Sequence, residues 1–173
     1  MRTVELVCSA ELDATVRAAW DRLAGAGLPS LARNTHPSNR PHLTLAAVDE
    51  FPPGAVARLG ALVADALPLP ARLGEVAVLD GSAPLVWLVD PDPALVALHR
   101  AVWRILGDAD GRNPWHAPQR WNPHLSLALR FRSADPGLAR AIVGAGRPAG
   151  EFVAARSYDS VERSVAPIGP PVR

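Results

Sequence analysis

One hexapeptide occurs twice in this chain with a single conservative change, at residues 41–46 and again at 123–128. The two copies read PHLTLA and PHLSLA. In each copy leucines alternate with polar residues, and a period of two is typical of a strand with one buried face. The alternation predicts that each histidine lies on the same face as the hydroxyl two residues later. Two imidazoles and two hydroxyls are therefore expected opposite a core.

The spacing between the two copies is also the spacing of a larger repeat. A shift of 82 positions carries His42 onto His124, Val4 onto Val86 and Gly54 onto Pro136. The implied unit is β-α-β-α-β, used twice, although identity outside the hexapeptide is weak. We therefore predict an α+β fold with two pseudo-twofold-related β-α-β-α-β lobes. Their antiparallel sheets flank a central cleft, with the helices on the outside.

Turn signals divide the chain into these lobes. We expect a single bilobal domain over 1–173, with lobe 1 at about 1–82 and lobe 2 at about 83–166. The segment 167–173 is expected to be a frayed tail. Helices are expected to start at Asp13, Asp92 and Asp135, since an acidic residue before an apolar stripe is a typical N-cap.

Charge and residue usage exclude several classes of function. The net charge is only +1, which argues against a broad basic surface for long nucleic acids and favours a small or short-ended anionic ligand. All 18 basic residues are arginine. Without lysine the chain can form neither a lysyl-adenylate nor a P-loop that ends in Gly-Lys-Ser/Thr. ATP-dependent nucleotidyl transfer of the usual ligase kind is therefore excluded.

The single cysteine and the hydropathy pattern bear on the location of the protein. Cys8 has no partner for an intramolecular disulfide, and a cysteine-based zinc site cannot be assembled. The N-terminus has no apolar run like a signal peptide, and no uncharged stretch is long enough to span a bilayer. We expect a soluble cytoplasmic monomer that does not associate with membranes.

Two imidazoles suit the in-line cleavage of a phosphodiester. The reaction needs a base on the attacking oxygen and an acid on the leaving oxygen, and histidine serves as either near pH 7. Hydrogen-bond lengths predict reactive nitrogens about 6–9 Å apart. Hydroxyls on the same face, Thr44 and Ser126, would donate to the non-bridging oxygens of the phosphate.

The paired His-x-Thr/Ser-x motifs, residues 42–45 and 124–127, resemble those of the two-histidine (2H) phosphoesterase superfamily. That group contains bacterial 2'-5' RNA ligase-like proteins and RNA 2',3'-cyclic phosphodiesterases. The resemblance implies catalysis by His42, Thr44, His124 and Ser126, with His42 as proton donor and His124 as acceptor. It implies hydrolysis of 2',3'-cyclic phosphates, on RNA ends or nucleotides, to 2'-phosphates without a metal or other cofactor. The reverse reaction, with an RNA 5'-hydroxyl, would make a 2'-5' linkage without ATP.

Two arginines are candidates for substrate binding. Arg40 and Arg130 are separated from the motif histidines by an even number of positions, two and six. They therefore lie on the cleft-facing side of the motif strands if those strands stay regular. Members of the related family often carry arginine one position before Arg130, where this chain has Leu129. Surface solvation is the competing interpretation for both. Trp115 and Trp121 either stack a nucleobase or close a small core.

Two other functions remain open at this point. The first is a non-catalytic module that binds RNA ends or nucleotides, although retention of both complete motifs favours catalysis. The second is a metal-dependent hydrolase in which His36 and His116 join the motif histidines as ligands. The simpler interpretation places these two histidines in loops at the cleft rim. His99 shares a helix face with apolar residues and is expected to be a partly buried structural histidine.

Overall fold

The computed structural model describes residues 1–132 and 135–170, and these form the predicted α+β fold. The strands are β1 (Arg2–Cys8), β2 (His42–Val48), β3 (Leu69–Val78), β4 (Leu85–Val89), β5 (His124–Ala128), β6 (Ala149–Asp159) and β7 (Ser164–Ile168). The helices are α1 (Ala10–Gly25), α2 (Ala55–Ala66), α3 (Pro93–Leu106) and α4 (Pro136–Val143). Every strand pairing is antiparallel.

The repeat predicted from the sequence is present in the order of the elements. Shifting the first half by 82 positions superposes β1 on β4, α1 on α3, β2 on β5, α2 on α4 and β3 on β6. Strand β7 has no counterpart. Helix α1 packs against α4, and its equivalent α3 packs against α2, so the repeat extends to the helix layers.

The strands follow the order β1-β2-β5-β4-β3-β6-β7, and β1 also pairs with β6. This additional pairing closes β1 to β6 into a ring. The third strand of each half pairs with the first strand of the other half, β3 with β4 and β6 with β1. The layout repeat could not predict this exchange, because it depends on contacts between distant segments. Strand β6 of the second half therefore lies on the side of the first motif, next to β1, and β3 of the first half lies on the side of the second motif, next to β4.

The helix starts agree with the sequence at two of three places. Asp92 and Asp135 cap α3 and α4, each with proline at the start of the helix. The prediction for Asp13 is wrong, because α1 starts at Ala10 and Ser9 is its N-cap. Asp13 is buried inside the first turns, where its carboxylate binds Arg17 and Arg40.

The C-terminal end is more ordered than the sequence suggested. Strand β7 continues to Ile168, which is paired with Ala155 and buried, so the first two residues of the predicted tail belong to the sheet. Residues 171–173 lie outside the described part of the chain. Among the described residues, the helices are too short or too polar to cross a bilayer.

Candidate active site

The two motif strands bury their leucines and leave their polar residues accessible, as the alternation predicted. The buried set is Leu43, Leu45, Leu125 and Leu127, and the half-buried set is His42, Thr44, His124 and Ser126. Leucine burial anchors each strand to the core, since a buried leucine contributes about 1.5–3 kcal/mol. The imidazoles and hydroxyls therefore share the opposite face.

Strands β2 and β5 meet through one antiparallel pair, Leu43 with Leu125. These two residues are equivalent in the repeat, so the pair lies on the pseudo-twofold axis. In an antiparallel register, His42 then lies across from Ser126, and Thr44 lies across from His124. The two histidines therefore lie diagonally across the Leu43–Leu125 pair on the accessible face. The fold therefore brings the two motifs together on one face.

Both imidazoles are held in the same way. Nδ1 of His42 donates to the backbone carbonyl of Arg40 at 2.6 Å, and Nδ1 of His124 donates to that of Asn122 at 2.7 Å. Each acceptor lies two residues before its histidine. A backbone carbonyl can only accept, so it fixes the tautomer that carries the proton on Nδ1 when the ring is neutral. This leaves Nε2 of each ring available for proton transfer.

A β-bulge follows the hydroxyl residue in both motif strands. Leu45 is the extra residue of β2 opposite β1, and Leu127 is the extra residue of β5 opposite β4. The carbonyl of Thr44 accepts the indole N–H of Trp121, and that of Ser126 accepts the indole N–H of Trp20, each at 3.0 Å. The two tryptophans are not equivalent in the repeat. Each motif strand is therefore held by the same kind of hydrogen bond, but the tryptophan that donates it comes from a different segment in each half.

The strand next to each motif makes the two halves of the site chemically different. Opposite Thr44 on β1 stands Glu5, whereas opposite Ser126 on β4 stands Val86. One strand further out, Arg156 of β6 is opposite Glu5 and Ala77 of β3 is opposite Val86. An ion pair therefore lies beside His42, and two apolar residues occupy the equivalent positions beside His124.

The Glu5 carboxylate is only 2% exposed and has partners for both oxygens. Oε1 accepts the hydroxyl hydrogen of Thr3 at 2.7 Å, and Oε2 accepts Nε–H of Arg156 at 2.8 Å. Oε1 also lies 3.6 Å from Nε2 of His42. Sequence analysis missed both charged residues, although a glutamate inside the otherwise apolar run VELVC was a usable signal.

His124 lies in a less polar environment. Burial lowers its pKa below 6.5, the hydrogen bond to Asn122 partly opposes this, and the charge of His42 lowers the pKa further. The pKa of neighbouring His116 is lowered to about 4, mainly by burial and then by the charges of His124 and His99. His124 and His116 are therefore neutral at pH 7. The neutral state of His124 is the one required of a proton acceptor.

The two arginines proposed from the sequence lie just outside the motif strands, Arg40 before β2 and Arg130 after β5. Nε of Arg40 binds Asp13 at 2.9 Å, so its side chain is directed towards α1, and the residue contacts His42 through its carbonyl. Arg130 is exposed and lies beyond the end of β5, which stops at Ala128. The parity argument assumed regular strands, whereas β2 begins only at His42 and β5 is bulged and short. Substrate contact by either arginine stays a prediction.

The loop aromatics separate into buried and exposed groups. Trp121 packs against the core and stacks on His99, with ring centroids 3.8 Å apart and nearly parallel planes. His99 is buried, more fully than the sequence suggested, and its Nε2–H donates to the carbonyl of His116. Trp115 is exposed and lies under the guanidinium of Arg120. His36 contacts Tyr158 edge-on.

Among residues 1–132 and 135–170, no group of three or more His, Cys, Asp or Glu side chains is arranged to hold a metal ion. Cys8 is buried, and burial, followed by the charge of Asp13, raises the pKa of its thiol to about 12.

A cavity of about 1040 Å³ lies between β3, β4 and the end of α4. It reaches the motifs only through Asn122 and Pro123, which precede His124. The convergence of the two motifs, rather than cavity size, therefore identifies the candidate site.

Known structures share this fold at low sequence identity. A structure described as a phosphoesterase aligns with a TM-score of 0.61 and 16% identity, over 98% of this chain and 94% of that one. Escherichia coli LigT in complex with NADP+ aligns with a TM-score of 0.58 and 17% identity, over 96% and 92%. Kluyveromyces marxianus Usb1 aligns with a TM-score of 0.54 and 11% identity, over 98% and 97%.

Sequence comparison gives the family. A search of curated proteins found no significant match. The family model described as the 2'-5' RNA ligase superfamily matches residues 11–156, which is most of the chain and includes both motifs. The chain therefore belongs to the 2'-5' RNA ligase superfamily, the 2H phosphoesterases.

Proposed function

We propose that this protein is a metal-independent phosphodiesterase that hydrolyses 2',3'-cyclic phosphates, on RNA ends or nucleotides, to 2'-phosphates. The observation that carries the proposal is the convergence of His42, Thr44, His124 and Ser126 around the Leu43–Leu125 pair. Membership of the superfamily supports phosphoester chemistry on RNA or nucleotides. The cyclic substrate and the 2'-product are the specific parts of the proposal.

The reaction divides between the two histidines. His124, neutral because burial lowers its pKa, accepts a proton from water as the water oxygen attacks phosphorus. His42 donates a proton to the 3'-oxygen as its bond to phosphorus breaks. The hydroxyls of Thr44 and Ser126 donate to the non-bridging oxygens, where charge builds up. Proton exchange with solvent then resets both rings.

The same groups would act in the same roles with an RNA 5'-hydroxyl in place of water as the nucleophile. His124 would accept the proton of the 5'-hydroxyl, and His42 would protonate the 3'-oxygen of the opened cyclic phosphate. The product is a 2'-5' linkage, and no ATP is consumed because the cyclic phosphate already holds the activated bond.

The decisive experiment is turnover of a panel of 2',3'-cyclic nucleotides and cyclic-ended oligonucleotides, with the position of the product phosphate determined. We expect 2'-phosphates, undiminished activity after exhaustive chelation, and loss of most activity in His42→Ala and His124→Ala. The double variant should lose little more than the weaker single, because residues that act as one unit are not additive.

His36→Ala and His116→Ala separate this mechanism from a four-histidine metal site. Both variants should retain the order of magnitude of wild-type turnover under the present proposal. Loss of activity in both, together with inactivation by EDTA and recovery on addition of one metal, would establish the metal-dependent alternative. Tight binding of cyclic nucleotides without any turnover would instead establish a binding module.

A further inference from the structure

We infer that Arg156 binds a non-bridging oxygen of the substrate phosphate, and that Glu5 is a positioning residue for both Arg156 and His42. The inference rests on the proposed function, since it concerns the same cleft. It assigns the phosphate-binding cation to a residue that neither the motifs nor the strand parity identified.

The guanidinium of Arg156 is anchored with unused donors beside the reacting groups. Its side chain is 13% exposed, and its Nε is occupied by Glu5. Nη2 lies 3.5 Å from Nδ1 of His42, but that nitrogen already donates its hydrogen to the carbonyl of Arg40. Nη2 therefore cannot form a good hydrogen bond there.

The Nη groups of Arg156 are free to bind a ligand. In the described part of the chain, the hydrogen bonds and ion pair of this guanidinium engage Nε with Glu5 and bring Nη2 only to His42. A guanidinium is suited to phosphate oxygens, because its planar fork of donors matches their geometry. A phosphate held between His42 and His124 would supply acceptors for these donors.

Glu5 makes this placement possible and also acts on His42. Its two oxygens bind Thr3 and Arg156, and Oε1 faces Nε2 of His42 at 3.6 Å. The carboxylate and guanidinium cancel each other's charge, so a protonated His42 leaves this half of the cleft with one positive charge. One positive charge matches the single negative charge of a phosphodiester.

The other half of the molecule provides an internal comparison. Val86 and Ala77 occupy the positions of Glu5 and Arg156 beside the second motif. His124 therefore has neither a carboxylate to favour its protonated form nor a second cation to hold the phosphate. This difference assigns the proton donor and the phosphate-binding arginine to the half of the site that contains His42.

Arg156→Gln tests the phosphate contact, and Arg2→Gln is its matched control. Both arginines bind a carboxylate across the β1–β6 pairing, but Arg2 binds Asp159 at the end of β1 that lies opposite Val48. We expect Arg156→Gln to raise KM for a 2',3'-cyclic nucleotide, and to weaken inorganic phosphate binding, by about tenfold or more. Arg2→Gln should change either quantity by less than about threefold. Equal effects of the two variants would overturn the phosphate contact.

Glu5→Gln tests the positioning role. The charged or titratable side chains that face His42 are Glu5 from β1, Arg156 from β6 and His124 from β5. The substitution removes the anion that faces Nε2 of His42 at 3.6 Å and that anchors Arg156, so kcat for a 2',3'-cyclic nucleotide should fall. A p-nitrophenyl phosphodiester needs little help from an acid, so its turnover should fall much less. Equal losses for both substrates would overturn the positioning role.

Each single variant leaves one charge of the Glu5–Arg156 ion pair without its partner, which favours misfolding. The double variant Glu5→Val/Arg156→Ala tests the inference without such an unpaired charge. It places in the first half the same apolar pair, valine and alanine, that stands beside the second motif, so no unpaired charge is left. We expect it to fold, as judged by circular dichroism, and to lose both phosphate affinity and kcat. Wild-type values for both would overturn the inference.

Failure of the proposed function is recognisable separately. If the wild type does not turn over cyclic phosphates, or if both histidine variants retain activity, that function fails. Inorganic phosphate binding still tests Arg156 against Arg2, because it requires no chemistry.

Discussion

Leu43 of β2 and Leu125 of β5 form the pair through which the two motif strands meet, and both side chains are buried. Each leucine lies between a histidine and a hydroxyl residue of its own motif. Packing at this pair therefore sets the separation of the two imidazoles, since the strands have no other paired residues between them in the described part of the chain.

We predict that Leu43→Ala lowers both stability and turnover. Truncating a fully buried leucine costs about 2–5 kcal/mol of unfolding free energy. The void also lets β2 shift relative to β5, and a small displacement of reacting groups reduces rate strongly. Urea unfolding and kcat, measured well below the melting temperature, check the two parts.

Leu23→Ala is the control for this variant, because Leu23 is equally buried but lies on α1. It should lose similar stability while the folded protein keeps its kcat. If both variants lose the same fraction of kcat, the Leu43–Leu125 pair has no special role in positioning the histidines.

Thr44→Ala and Ser126→Ala should reduce turnover far more than stability. Each hydroxyl lies on the accessible face, and loss of one donor to a developing negative charge costs about 10²–10³-fold in kcat. Calorimetry should show a shift of only a few degrees. A large fall in melting temperature with little change in kcat would show that the hydroxyl is structural.

Trp20→Phe should weaken both stability and activity. The substitution leaves the Ser126 carbonyl without its indole donor, at a cost of about 1–3 kcal/mol, and loosens the second motif strand. Trp87→Phe is the matched control, since Trp87 is also 2% exposed and its indole donates to the carbonyl of Gly74 on β3. It should lose comparable stability by urea unfolding and retain more of its kcat. Equal losses of kcat would contradict a role for the Trp20 anchor in catalysis.

The rate should follow a bell-shaped dependence on pH. His124 must be neutral to accept a proton, and its pKa is lowered by burial, so the acidic limb should lie below pH 6.5. The two limbs belong to the coupled pair rather than to single residues. Initial rates of cyclic nucleotide hydrolysis between pH 4.5 and 9 measure the profile. An acidic limb above pH 6.5 would contradict the assignment of His124 as the buried base.

Folding stability should decrease when the solution is acidified below pH 6.5. The pKa values of His99, His116 and His124 are all lowered by burial, that of His116 to about 4. Between these values and 6.5 the unfolded chain binds more protons, so stability rises with pH. Each histidine contributes at most about 1.4 kcal/mol per pH unit.

His116→Gln isolates one of these contributions. Urea unfolding at several pH values between 5 and 6.5 should give a smaller slope for this variant than for the wild type. Identical slopes would show that His116 is protonated as easily in the folded protein as in the unfolded chain.

Local patterns in the sequence were sufficient to predict the order of the helices and strands and the buried and accessible faces of the two motif strands. Alternation predicts strand faces because side chains in a strand point to opposite sides, and residues 42–45 and 124–127 do alternate in burial. Shared spacing predicted the repeat, and acidic residues before proline predicted the starts of α3 and α4. The start of α1 was misplaced because Ser9 is the better cap.

Tertiary structure alone decided which side chains surround the two histidines. Glu5 and Arg156 are 151 positions apart, and they meet because β6 of the second half pairs with β1 of the first. The side chain of Arg40 binds Asp13 on α1. The packing of this helix against the motif strand cannot be read from the alternation of residues in the strand. Sequence periodicity reports the face on which a residue lies, whereas its neighbours on that face are set by long-range strand pairing. The two motifs are therefore evident in the sequence, while the chemical difference between them arises only in the fold.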